Sequence, residues 1–129
     1  MSPLELLVVS LGGGLGSALR FALDGTVKAR VARAALGWFP VGTMLINVTG
    51  SLVLGVVTGL GEAGTLGLPL VAVLGTGMMG GYTTFSTASV ETVQLFRSGK
   101  PGPAVLNGLG MLVVSVGAAA LGLYLGRNT

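Results

Sequence analysis

Charged residues interrupt this chain at wide intervals, and apolar runs fill the gaps. Between Glu5 and Arg20 stand fourteen uncharged residues, Leu6 to Leu19. Widened to Pro3–Leu23, with a charge near each end, the segment has 21 residues. At about 1.5 Å per residue, a helix of that length crosses about 30 Å of hydrocarbon. Ala34–Gly61 and Ala63–Val90 each run 28 residues without a charge, and Pro101–Gly126 runs 26. The pattern predicts an all-α integral membrane domain spanning residues 1–129, with four transmembrane helices. The connections Asp24–Arg33, Gly61–Leu68 and Arg97–Pro103 are too short to form another domain.

Composition removes the alternatives. Charged residues are 9% of the chain, against about 25% in a typical soluble domain. So few cannot cover a soluble globule. Mean hydropathy is +0.88. Glycine supplies 24 of 129 residues, but there is no G-X-Y period and only five prolines, so collagen is excluded. The glycines recur instead as small-xxx-small pairs: Gly12/Gly16, Gly55/Gly59, Gly77/Gly81 and Gly122/Gly126. Such spacing implies close helix packing without saying which helices meet. With no Cys and no His, disulfides, thiolate sites and imidazole proton relays are absent. The seven basic residues lie in connections or near span ends and form no stripe for nucleic acid. The start Met1-Ser2-Pro3-Leu4-Glu5 lacks the basic region of a signal peptide, so the first apolar segment is expected to be kept.

The third span is the least regular. Gly75-Thr76-Gly77-Met78-Met79-Gly80-Gly81 precedes Tyr82-Thr83-Thr84-Phe85-Ser86-Thr87. Each glycine lowers helix propensity by about 1 kcal/mol, and Ser/Thr side chains compete for backbone groups. A break in the third helix is expected, with Gly75 to Gly81 turning carbonyls toward an ion. The same stretch matches G-x-G-x-x-G, but a dinucleotide fold needs a soluble βαβ frame and a later acidic residue that are missing. No base stands ready to activate a Ser nucleophile, so no enzyme is expected. In the second span Thr43, Asn47 and Ser51 lie one turn apart on one face. Neutral donors without a buried acid suit a small anion. Asn, Ser and Thr also knit membrane helices together, which is their ordinary use. Phe85 has a positive ring edge that meets an anion lying in the ring plane. Arg20 and Glu91 fall near span ends, where long side chains reach water. Arg20 is a candidate for a positive vestibule.

Together these segments resemble the Fluc/CrcB family of fluoride channels. The first span carries Gly13-Gly14-Leu15-Gly16-Ser17-Ala18-Leu19-Arg20 against a GGxxGAxxR pattern. The second carries Gly42-Thr43-Met44-Leu45-Ile46-Asn47-Val48-Thr49-Gly50-Ser51 against GTLxVNxxGS. The third carries Gly77-Met78-Met79-Gly80-Gly81-Tyr82-Thr83-Thr84-Phe85-Ser86-Thr87-Ala88 against GxxGGxTTFSTF. The resemblance implies a multi-pass protein of a prokaryotic inner or plasma membrane that assembles as an antiparallel, dual-topology-type dimer with two pores. It implies a structural sodium ion at the dimer centre, not transported, on the backbone carbonyls of Gly80 and Thr83. It places Asn47 and Phe85 on the fluoride path, with Thr43, Ser86, Thr87 and Ser115 along a polar track and Arg20 and Glu91 near the mouth. Fluoride would leave the cell passively. A membrane potential, negative inside, drives an anion outward at about 2.3 kcal/mol per charge per 100 mV. The cell would thus be relieved of fluoride that entered as neutral HF.

Two departures bear on assembly. The third motif ends in Ala88 where the family has a second Phe, which in the family joins the first Phe across the dimer. In the fourth span the family places Tyr and Ser where Asn107 and Met111 stand here. The basic residues are also lopsided. Lys28, Arg30, Arg33, Arg97 and Lys100 fall in the first and third connections, and Arg127 alone lies opposite. The positive-inside rule puts those connections in the cytoplasm. A strong bias suits one fixed-orientation subunit paired with a paralogous chain, whereas a homodimer must insert both ways. Two rivals remain: a small proton-coupled drug transporter, which needs a carboxylate within the first span, and a non-transporting assembly factor.

Overall fold

A computed structural model describes residues 2–31 and 39–129. Met1 and residues 32–38 lie outside it, and with them Arg33 and the expected start of the second span at Ala34. The first helix, α1 (Pro3–Val31), opens with a reciprocal cap. The Glu5 N–H donates to Ser2 Oγ and the Ser2 N–H donates to the Glu5 carboxylate, each at 3.1 Å. It continues past the expected end at Leu23. Asp24 and Lys28, one turn apart, pair at 3.0 Å and carry the helix on through its charged turns.

Helix α2 (Val41–Glu62) stops where Gly64 adopts φ +78°. The Gly64 and Thr65 N–H groups close back on the carbonyls of Gly61 and Leu60. A side chain at Gly64 would be strained in that left-handed turn. Pro69 then sits in the first turn of α3 (residues 68–82). The span resumes as α4 (Ser86–Arg97) and ends in the same kind of turn at Gly99, φ +77°. Helix α5 (Pro101–Arg127) completes the bundle. All four spans are long and apolar enough to cross a membrane. Leu7, Leu11 and Leu15 on α1 and Leu112, Val113 and Val116 on α5 are exposed. Satisfied helical backbone behind apolar side chains suits lipid.

Glycine pairs decide which helices meet. Helix α2 packs most extensively on α5. A methyl group on Gly59 would stand 2.5 Å from the Leu123 carbonyl oxygen, and one on Gly126 would strike that of Val56. Helix α1 lies on α3 in the same manner. A methyl on Gly77 would reach 2.6 Å from the Val9 carbonyl oxygen, and one on Gly81 would overlap that of Gly13. Thus Gly55/Gly59 face Gly122/Gly126, and Gly12/Gly16 face Gly77/Gly81. At the α2 and α5 C-termini the Arg127 guanidinium pairs with Glu62.

One expectation is corrected here. Gly75 to Gly81 do not interrupt the chain: the segment stays helical, in wide π-type turns over Ala72–Met79 and then through Tyr82. Their absent side chains serve contact with α1. Helical geometry lapses at residues 83–85, where Thr83 is extended at φ −79°, ψ 157°.

Candidate functional site

Helix α3 ends where a side chain from α2 takes over its hydrogen bonding. The Thr84 N–H would continue the helix by donating to the Gly80 carbonyl. It donates instead to Asn47 Oδ1 at 2.8 Å. Asn47 Nδ2 in turn donates to the Thr84 carbonyl at 2.8 Å. This two-point clamp fixes the amide's orientation, since its oxygen must face the N–H and its nitrogen the carbonyl. At the start of α4 the Thr87 N–H donates to Thr84 Oγ1 at 3.2 Å, not to the Thr83 carbonyl. The carbonyls of Gly80 and Thr83 therefore lose the donors that an unbroken helix would supply. Gly80 is exposed, and a methyl group there would meet no atom within 4 Å.

Beside the clamp lies a groove of about 580 Å³. Its walls include Asn47, Ser51, Thr83, Thr84, Phe85 and Ser115, with Ala88 and Met111. None of its lining residues is charged. Phe85 stands out from the chain at 87% exposure. Ser115 Oγ is buried and has no hydrogen-bond partner among the described residues. Asn47 Nδ2 also reaches Met111 Sδ at 3.0 Å.

The predicted site residues divide into groups. Asn47, Phe85, Ser115 and Thr83 share the groove. Thr43, 2% exposed, leaves its stripe-mates Asn47 and Ser51 and donates to the Glu91 carboxylate. Ser86 and Thr87 open α4 outside the groove wall, with Ser86 Oγ 3.3 Å from Thr84 Oγ1. Arg20 is half-buried on α1, one turn before Asp24, and makes no ion pair among the described residues.

Several participants were not singled out from sequence. Asp24 and Lys28 lie near the Thr43–Glu91 end, where a methyl on Gly42 would strike Asp24 Oδ1. Their i, i+4 spacing of opposite charge was the available signal. Ser89 and Thr92 also line the groove. They fall one turn beyond Phe85 and Ala88, a spacing that marks one helix face. Asn107, noted above as a departure from the family pattern, is 0% exposed; it donates to Thr92 Oγ1 at 2.9 Å, and Thr92 donates to the Ala88 carbonyl at 2.8 Å.

Comparison with known proteins gives the family. The family described as CrcB-like protein, Camphor Resistance (CrcB), matches residues 7–123. The chain belongs to the Fluc/CrcB family. A Leifsonia xyli subsp. xyli protein named fluoride-specific ion channel FluC 1 is 49% identical over 126 residues, covering 98% of this chain and 89% of its own. A Cutibacterium acnes protein named fluoride-specific ion channel FluC 2 is 43% identical over 130 residues, covering 97% and 99%. One from Shewanella halifaxensis, named fluoride-specific ion channel FluC, is 37% identical over 124 residues, covering 96% and 94%. These Fluc/CrcB relatives are ion channels rather than enzymes, and similarity runs through all four spans.

Proposed function

We propose that this chain forms a fluoride-specific channel that lets fluoride leave a prokaryotic cell passively and so lowers its toxicity in the cytoplasm. The observation that carries this reading is the uncharged, largely apolar groove beside the Asn47–Thr84 clamp, into whose wall hydroxyls and one amide are set. Fluoride holds its water tightly, and stripping it in apolar surroundings is costly. Hydroxyls, an amide and the Phe85 ring edge replace water without a fixed charge that would trap the ion. A carboxylate for proton coupling is missing from the groove wall, which favours passive flow over coupled transport.

The exposed groove belongs with a second subunit, and an antiparallel dimer would close two such grooves into pores. A structural sodium ion fits the donor set at its centre. Carbonyl oxygens are hard ligands appropriate to an alkali cation, and those of Gly80 and Thr83 have lost their helix donors. A bound sodium would add positive charge there and offset the negative ends of those carbonyl dipoles.

Efflux from fluoride-loaded liposomes, read with a fluoride electrode, tests the reading. Fluoride should leave and chloride should stay. Phe85→Ile should slow fluoride by about tenfold, the factor expected when an anion–ring-edge contact of about 1.4 kcal/mol is lost. Equal loss of both anions, or no effect at position 85, would refute the assignment.

A second assembly is favoured by Ala88, which lines the groove at the position of the family's second Phe. In that reading this chain keeps one orientation and a paralogous subunit supplies the missing ring. Made alone, the chain should then give little flux, and co-expression with such a paralogue should restore it. Full fluoride flux from the chain alone would rule the paired assembly out.

A further inference from the structure

The amide of Asn47 is engaged at both its nitrogen and its oxygen. One Nδ2 hydrogen goes to the Thr84 carbonyl at 2.8 Å, and Nδ2 also reaches Met111 Sδ at 3.0 Å. Its oxygen accepts from the Thr84 N–H. These contacts differ in kind. The Thr84 bonds are reciprocal and hold the chain at residues 83–85. The contact to Met111 joins a good donor to a thioether, which is a weak acceptor. Met111 is 5% exposed, and it lines the same groove as Asn47 and Ser115. Ser115 is one turn further along α5, and its hydroxyl is buried without a partner. The groove therefore holds one weakly committed amide proton and one uncommitted hydroxyl, both on lining residues.

We infer that the Met111 thioether is a displaceable acceptor, holding the second amide proton of Asn47 until a permeating anion takes it. The inference rests on the channel reading above. A buried N–H left unpaired is costly, so an empty groove needs a stand-in acceptor. A strong stand-in would outcompete the anion, while a thioether yields to it. Methionine also has three rotatable bonds, so it moves aside with little strain. Asn47 then serves twice: two fixed bonds shape the residue 83–85 break, and one released proton faces the ion. Met111 thereby sets how tightly the anion is held.

Met111→Leu tests this, because it conserves volume and removes the acceptor. The fluoride concentration giving half-maximal flux should fall by about threefold to tenfold, the factor for losing one weak competing hydrogen bond. Maximal flux should change less. A purely packing role would alter stability or maximal flux and leave half-saturation in place. Unchanged or raised half-saturation in Met111→Leu, alongside a conducting wild type, would overturn the inference and spare the channel reading. Absence of fluoride flux from the wild type, alone or with a paralogue, would overturn both. A second measurement does not depend on the variant. Titrating the wild-type channel with sodium fluoride should shift one of the two Asn47 side-chain amide proton resonances much more than the other. Sodium chloride should shift neither. No fluoride-specific shift at Asn47 would also overturn the inference.

Discussion

Asn47→Asp is expected to reduce fluoride efflux by at least about a hundredfold, the largest effect of any single groove substitution. The reason is geometric before it is electrostatic. Asn47 Oδ1 accepts from the Thr84 N–H, and a carboxylate oxygen can keep that bond. Nδ2 donates to the Thr84 carbonyl, and a second carboxylate oxygen cannot. Two acceptors would then face each other, and leaving a buried acceptor unsatisfied costs about 1–3 kcal/mol. The chain at residues 83–85 would shift, and with it the carbonyls of Gly80 and Thr83. The added charge compounds the damage. At about 4 Å and an effective dielectric constant of about 20, two like charges repel by about 4 kcal/mol. Each 1.4 kcal/mol is about a factor of ten. Liposome efflux measured beside wild type checks the result. An Asn47→Asp variant that conducts fluoride as well as wild type would show that Asn47 neither shapes the break nor faces the ion.

The same clamp explains what could and could not be read from sequence. The number of spans was legible because eleven charges divide 129 residues into four apolar stretches. The end of α1 was not, because Asp24 and Lys28 marked a connection by composition while their spacing supports helix. Dense glycine at Gly75–Gly81 pointed to a break by propensity alone. Propensity is overridden there: the glycines let α1 and α3 backbones touch, and that contact keeps the segment helical. The actual lapse at residues 83–85 depends on Asn47, 37 residues earlier in the chain. No local rule reports a bond of that separation. The Thr43–Asn47–Ser51 stripe was correctly placed on one helix face. Its division into groove and Glu91 partner depends on where α4 lies, which only packing determines.

Neighbouring glycines on α3 should separate folding from function. Gly81→Ala is expected to destabilise the chain by about 2 kcal/mol, taking about 3 kcal/mol for overpacking less about 1 kcal/mol gained in helix propensity. Its methyl would overlap the Gly13 carbonyl oxygen and lie 2.8 Å from the Gly13 carbonyl carbon, so backbone rather than a flexible side chain must move. Gly80→Ala, one residue away, meets no atom of this chain within 4 Å. Within the subunit it should fold as well as wild type or slightly better. Gly80 is nevertheless exposed, and its carbonyl lacks the Thr84 donor. If this is the face where two subunits and a sodium ion meet, a methyl there crowds the approach. Gly80→Ala should then keep its helicity and unfolding midpoint in detergent while the dimer dissociates at higher protein concentration than wild type. Gly81→Ala should show the reverse order, with unfolding shifted first. Equal stability of Gly81→Ala and wild type would contradict the α1–α3 contact. A Gly80→Ala dimer as tight as wild type, conducting fluoride with the same sodium dependence, would move the subunit interface away from Gly80.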